Sequence, residues 1–483
     1  MAEGDRRAPL APSTTRAASG ADSTRRVASA PGSAGVGEFV RDLDFADLPA
    51  DVVAQAQRCF LDLIGVAAAG SRTRASAIAN GYAATQMCGA DRDARILFDG
   101  RRASLAGAAF AGASTIDAFD AHDGHPLTKG HAGAAILPAI LAVIDGAQNG
   151  EPAAGVNGRE LITSLVLGYE IATRAGMSLH ATVADYHCSG SWNALGCASV
   201  AARLLTLDAA WIRDALGVAE YFGPRGQMLR TCDAPTMVKD GSGWGAHVGI
   251  SAALLARDGF TGAPALTVEG DDAREFWSDL GTRWRIREQY MKPYPVCRWA
   301  QPAVEATLAL QRKHRFAAED VAALSVESFR EAVDLGSART VAATTEDAQY
   351  SLRHPIAAAL VFGHIGPLEV SAPRLADPRV VRLQQAMSVH EDPALSRLFP
   401  AERWARVRVT LADGRTLASE PAVARGSAEN PLSEAELLGK YRDYAEPVLG
   451  KARAARIEHA AHRLGGERAD LTELLDDLLQ PIG

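Results

Sequence analysis

Between residues 49 and 256 the chain returns again and again to one pattern: Ala-rich stretches in which apolar side chains recur every three or four positions. In 49–70 a proline start signal is followed by Val52, Val53, Cys59, Phe60, Leu63 and Ile64 at helical spacing, and a glycine ends the run. Similar stretches cover 101–118, 132–148, 158–178, 191–205, 208–220 and 246–256. Aromatic residues make up only 6% of the chain, so the small side chains predict close-packed helices and a mostly helical domain over 37–287.

After residue 288 the pattern changes. Residues 321–326 and 405–411 have strand-like Val and Leu content, and Asp413-Gly414 is a hairpin turn signal. Helical stretches at 301–315, 345–362 and 377–388 lie between them, which predicts a smaller α+β domain over 288–427. Residues 428–483 are helical again. Residues 1–36 contain almost no large apolar side chains and predict a disordered tail. Their Arg and Ser content would suit a transit peptide, but Glu3, Asp5, Asp22 and the missing apolar face speak against one, and no signal-peptide core is present.

The formal net charge of -8 argues against nucleic acid or an anionic membrane as the main partner, so an anionic substrate would need a local basic pocket. The longest apolar run, 132–144, is shorter than the ~20 residues that cross a bilayer. Six scattered cysteines without a CxxC pair suit reduced thiols in a cytoplasmic protein. Only six of the 50 basic residues are lysine: Lys129, Lys239, Lys292, Lys313, Lys440 and Lys451. Where either base would serve, this chain uses Arg, so a lysine points weakly to a place where Arg will not do. By their surroundings Lys313, Lys440 and Lys451 read as surface residues.

Four segments concentrate chemistry. The first runs Asp117-Ala-Phe-Asp120-Ala-His122-Asp123-Gly-His125-Pro-Leu-Thr128-Lys129-Gly-His131, a polar loop between two apolar helices. Aspartates there can orient a histidine or raise its basicity. The plain alternative is a solvated surface loop. Metal ligation by His and Asp, as in a metal-dependent hydrolase, is a second one, although Gly124 speaks against a helical pair of ligands. The second segment places His187 before small residues that open a helix, a setting for an anion. The third sets Lys239 before a Gly-rich turn that lacks the phosphate-loop pattern. In the fourth, Tyr290-Met-Lys292-Pro-Tyr294-Pro-Val-Cys297-Arg298, two prolines hold an extended segment carrying Lys292 and Arg298, suited to carboxylates.

These segments in this order resemble the MmgE/PrpD family, as do Leu61-Asp62-Leu-Ile-Gly65 and Asn430-Pro-Leu-Ser433. The resemblance covers the chain from about residue 37 onward. It implies a mainly α protein with a smaller α+β lid domain, the terminal helices returning to the helical domain, and a homodimer working without metal or organic cofactor. It assigns catalytic positions to Asp120, Asp123, His131, His187, Lys239 and Lys292, and substrate binding to Arg298, His125 and His354, the last standing for a lid tyrosine. The family's substrates are small di- or tricarboxylates, and the shared step is proton transfer next to a carboxylate. The first expectation is a lyase of the 2-methylcitrate dehydratase type. An epimerase of the iminodisuccinate type and a cis-aconitate decarboxylase are the alternatives.

Overall fold

The computed structural model describes residues 35–89, 92–147, 152–466 and 469–483. Residues 1–34 of the expected tail lie outside that description, and Val36, assigned to the tail, instead opens the helix Val36–Asp42 with its side chain buried. The helical domain is built from Ala50–Gly70, Leu105–Asp117, Gly133–Asp145, Gly158–Thr182, Gly190–Leu204, Ala209–Phe222 and Ser242–Arg257. Two starts differ from the periodicity. Residues Arg102–Ala103 pair with Ala94–Arg95 as a short ribbon, and Ser104 caps the helix after it by accepting the Gly107 N–H at 3.1 Å. The last of these helices begins at Ser242, because Gly241 adopts φ 69° and turns the chain sharply there.

Gly133–Asp145 lies at the centre, buried on every face from Gly133 to Ile144. Glycines let its neighbours come close. A Cβ at Gly168 would lie 2.3 Å from Ile136, and one at Gly249 would lie 2.4 Å from Cys197 and 2.6 Å from the Ala194 carbonyl. This is how a core with few aromatic residues reaches close packing.

The lid carries a five-stranded sheet. Val321–Ser328 pairs parallel with Met387–Glu391 and antiparallel with Trp404–Leu411, which pairs in turn with Thr416–Ala418 and Ala422–Val423. Helices Gln301–His314, Arg353–Phe362 and Pro378–Gln385 accompany it. Two expected helices differ here. The stretch 345–362 breaks into Thr345–Gln349 and Arg353–Phe362, because the Ser351 hydroxyl accepts the N–H groups of Arg353 and His354 and starts the second helix anew. The stretch 377–388 ends as a helix at Gln385, and Met387 begins the parallel strand.

The C-terminal helix Glu434–Leu449 packs on Ala50–Gly70. Gly65 allows the approach, since a Cβ there would meet the Tyr441 ring at 3.2 Å. By length and composition Ala50–Gly70 is apolar enough to cross a membrane, although no uninterrupted apolar run marks it; here 72% of its most apolar window is buried inside the protein.

The glycine contacts give a stability test. Gly249→Leu forces the Ser242–Arg257 and Gly190–Leu204 helices apart and should destabilise the fold by about 2 kcal/mol or more. Urea unfolding checks it, and an unchanged midpoint would contradict this account of the helix crossing.

Candidate active site

The loop between Leu105–Asp117 and Gly133–Asp145 is not a solvated surface loop: Asp117, Asp120, His122, Asp123, His125, Thr128 and His131 are all buried. Three other segments close over it. The first carries Ser189 and Asn193 at the start of Gly190–Leu204, the second is the Lys239–Asp240 turn, and the third is the extended segment from Tyr290 to Arg298.

His131 is held at every polar atom but one. Its N–H donates to the Ser189 Oγ at 3.0 Å, and its carbonyl accepts from Asn193 Nδ2 at 2.8 Å. Its Nδ1 meets the Asp123 carbonyl, which can only accept, so Nδ1 carries the proton. Nε2 is left with a lone pair, 3.7 Å from Asp120 Oδ1 and 3.8 Å from Asp240 Oδ2. Burial first, then the charge of Lys292 and the nearby His122 ring, lower the His131 pKa to about 3, so the imidazole is a neutral base.

Asp120 forms a buried ion pair with Lys292. Burial alone would raise this carboxyl, but the Lys292 ammonium, with His131 and His122, outweighs it and holds Asp120 well below the usual carboxylate range. Lys292 shows the converse: burial opposes its charge, and Asp120 keeps it protonated. Gln349 ties the parts together. Its Oε1 accepts the Asp120 N–H at 2.8 Å and the Lys239 Nζ at 2.7 Å, and its carbonyl accepts the Cys297 N–H at 2.8 Å. Lys239 has φ 51° and lies 5.0 Å over the Tyr350 ring; burial lowers its pKa, and Asp120 opposes that.

Beside these groups lies a cavity of about 20 Å³, room for roughly one water. Asp120, His131, Lys292 and Arg298 line it together with Lys129, Asp240, Tyr290, Tyr350 and Arg403. The lining cations Lys129, Lys292, Arg298 and Arg403 outnumber the carboxylates Asp120 and Asp240, the balance that a carboxylate ligand requires. Arg298 is fixed by the carbonyl of Arg425 at 2.6 Å and by Gln301 at 3.0 Å, with its guanidinium 4.6 Å from the centre of the Tyr290 ring. Burial lowers its pKa to about 10.

Lys239, held on Gln349, and the other expected site residues lie off this cavity. Asp123 acts through its backbone on His131, while its carboxyl accepts from Tyr169 and is pushed up by burial to about 7. His125 bonds Glu288 at 3.0 Å. His187, expected as a catalytic partner, is half-buried beside His180 and absent from the lining, because its segment turns its neighbour Tyr186 inward instead. His354 is likewise displaced: it bonds the Glu369 carbonyl at 2.9 Å, and the helix break at Ser351 leaves Tyr350 as the lid aromatic that faces the cavity. Sequence inspection passed over Asp240, Tyr290, Tyr350, Gln349 and Arg403. The first four adjoin or belong to segments already singled out; Arg403, on the lid beyond Pro400, offered no signal.

Asp120, His122 and His131 each bring one ligand atom to within 4.8 Å of the others, the spacing a cation would use. The donor set does not suit one. His131 Nε2 and His122 Nδ1 carry no hydrogen bond among the described residues, but the Lys292 ammonium already occupies Asp120, the one anionic ligand of the three. A divalent ion would also face that ammonium directly.

The His131 assignment is open to direct measurement. In protein labelled with ¹³C at histidine Cε1, the His131 resonance should show no titration between pH 5 and pH 8. A midpoint near the ordinary histidine value of ~6.5 would overturn the neutral-base assignment.

Known proteins match the chain along most of its length. The model of the MmgE/PrpD N-terminal domain matches residues 35–276, and that of the MmgE/PrpD C-terminal domain matches residues 294–465. A cis-aconitate decarboxylase-like protein of Aspergillus oryzae is 25% identical, with 90% of this chain and 95% of that protein covered. The cis-aconitate decarboxylase of Aspergillus terreus is 24% identical over 90% of this chain and 93% of its own length. A 2-methylcitrate dehydratase of Cupriavidus necator is 28% identical, over 45% of this chain and 49% of that protein.

Proposed function

The chain belongs to the MmgE/PrpD family, and from that premise we propose that it is a lyase acting on a small di- or tricarboxylate by proton transfer at a carbon next to a carboxylate, without metal or organic cofactor. The observation that carries this is His131: a buried imidazole with Nδ1 locked on a carbonyl and Nε2 free at the edge of a cation-rich cavity. A carbon acid next to a carboxylate is very weak, so its removal needs a base and also positive charge where the enolate-like dianion develops. His131 Nε2 takes the proton. Lys292, Arg298 and Arg403 meet the carboxylate oxygens as charge moves onto them. In dehydration the hydroxyl on the adjacent carbon then leaves with a proton, and Asp240 is placed to supply it: its Oδ2 has no hydrogen-bond partner, and burial raises its pKa.

A neutral base favours reactions that begin by removing a proton, and so the 2-methylcitrate dehydratase type. The second reading is decarboxylation, favoured by the full-length likeness to two decarboxylase-type relatives. There the carboxylate leaves as CO2 and the carbon must receive a proton, for which Asp240 again serves. Epimerisation would need a second proton carrier on the opposite face; His187 lies off the cavity, which leaves Asp240 for that role. A tricarboxylate cannot enter about 20 Å³, so substrate entry requires the lid residues Arg298, Tyr350 and Arg403 to draw back.

Incubation with 2-methylcitrate, cis-aconitate and iminodisuccinate in D2O, followed by NMR, tests the proposal. Deuterium should appear at a carbon next to a carboxylate, and His131→Gln should slow this at least ~100-fold. Loss of CO2 separates decarboxylation from dehydration. No exchange or conversion of any of the three acids, or a His131→Gln variant as fast as the parent, would sink it.

We also propose a homodimer. Tyr221, Phe222, Val238 and Trp244 are 78%, 58%, 73% and 48% exposed, on elements flanking the Lys239 turn. Light scattering should give twice 50.9 kDa; a monomer at micromolar concentration would refute it.

A further inference from the structure

Lys440 is a surface residue by its sequence surroundings and is nothing of the kind in the fold. It projects from the C-terminal helix Glu434–Leu449 into the helical domain and is 8% exposed. Its Nζ donates to Asp62 Oδ1 at 2.6 Å and to the Ala121 carbonyl at 2.7 Å. Ala121 is the residue between Asp120, which pairs with Lys292, and His122-Asp123, whose Asp123 carbonyl fixes the His131 tautomer. The turn is tight, with the Ala121 N–H bonded to the Phe119 carbonyl at 2.8 Å. One ammonium therefore holds the middle of the turn from behind, while Lys292 holds its front.

We propose that Lys440, anchored by Asp62, is a positioning residue of the active site: it fixes the Ala121 carbonyl, and through it the placement of Asp120 and of the Asp123 carbonyl that orients His131. The proposal rests on the lyase reading of this cavity. The geometry explains why the position is lysine. The Ala50–Gly70 and Glu434–Leu449 helices are in contact at Gly65 and Tyr441, which brings Lys440 within reach of both Asp62 and the Ala121 carbonyl. A compact ammonium with three rotatable donors can serve one carboxylate oxygen and one carbonyl there; a planar guanidinium fork would have to spread its donors in one plane. Several groups feel the charge. Burial raises Asp62 and Asp123 and the Lys440 charge works against it; burial lowers His122 and Lys440 adds to it; the Tyr444 ring lies 5.5 Å from its Nζ. A ligand touching Lys440 is not required for any of this.

Removal of Lys440 alone leaves Asp62 buried without its partner, so loss of activity could reflect a weakened fold. The test therefore compares Lys440→Met with the double variant Asp62→Leu/Lys440→Met, in which both members of the pair become apolar and packing is recovered. The expected result is a fall in kcat of about 10- to 100-fold in both variants, from slight misplacement of the catalytic groups, with KM within about threefold of the parent in each. Recovery of parental kcat in the double variant, or parental kcat in Lys440→Met itself, would overturn the proposal. A readout independent of turnover separates this from failure of the lyase reading: the ¹³Cε1 resonance of His131 should shift in the double variant while its unfolding midpoint stays that of the parent. An unmoved resonance refutes the positioning role even if no carboxylate is turned over; inactivity of the parent protein with a shifted resonance refutes only the lyase reading.

Discussion

A loop bearing three aspartates and three histidines lies in the interior of this protein, and the rest of the site follows from how its charges are satisfied. An isolated buried carboxylate is very costly, and the usual outcome is that it takes up a proton. Two fates are visible a few residues apart. Asp120 stays ionised because the Lys292 ammonium sits against it. Asp123, whose carboxyl accepts from the Tyr169 hydroxyl and the Gly133 N–H, is pushed up by burial to about 7, and Asp117 to about 6. Two chemically equal side chains thereby become a fixed anion and a near-neutral acid.

The same burial sets the histidines. Buried and beside the Lys292 ammonium, neither His122 nor His131 holds a second ring proton; both fall to about 3. A base that is always unprotonated is useful only if its lone pair points to the reacting atom, so orientation becomes the controlling variable. The Asp123 carbonyl supplies it for Nδ1, and Ser189 and Asn193 fix the backbone on either side. Asp240 completes the arrangement from the Lys239 turn: its Oδ1 accepts from the Ser189 hydroxyl at 2.8 Å while Oδ2 faces His131.

Much of this was legible in the sequence, for identifiable reasons. Helix periodicity and glycine stops are local, so most helices before residue 258 were readable to within a few residues; Arg74–Gln86, whose apolar face is weak, was not. The Asp/His loop stood out because seven ionisable groups between two apolar helices are conspicuous. What was hidden depended on direction rather than identity. His187 and Tyr186 are neighbours, and in an irregular segment nothing local says which of the two turns inward. Tyr350 and His354 exchange places because the Ser351 hydroxyl restarts a helix inside what reads as one continuous apolar stretch. The parallel strand at Met387–Glu391 was invisible because only its pairing with Val321–Ser328 distinguishes it from the end of a helix.

The scarcity of lysine acquires a physical meaning from the same geometry. Lys292, Lys239 and Lys440 reach the loop from the front, from the lid side through Gln349, and from behind, and Lys129 belongs to the loop itself. Lys292, Lys239 and Lys440 each bring one compact charge to one or two oxygens, while the Lys129 ammonium lies over the Tyr186 ring. The arginine Arg298 acts by shape as well as charge, since its guanidinium sits 4.6 Å from the centre of the Tyr290 ring, with its fork held by carbonyls of the lid. Point charges thus sit around the loop that holds the base, and a planar cation forms the wall that closes over it. Lid and loop meet along Gln349, which accepts from Asp120 and Lys239 at once, so any opening that admits substrate must break or carry that junction. Closure would then restore the Asp120 and Lys239 contacts in one movement, coupling the exclusion of water to the assembly of the charges that the reaction needs.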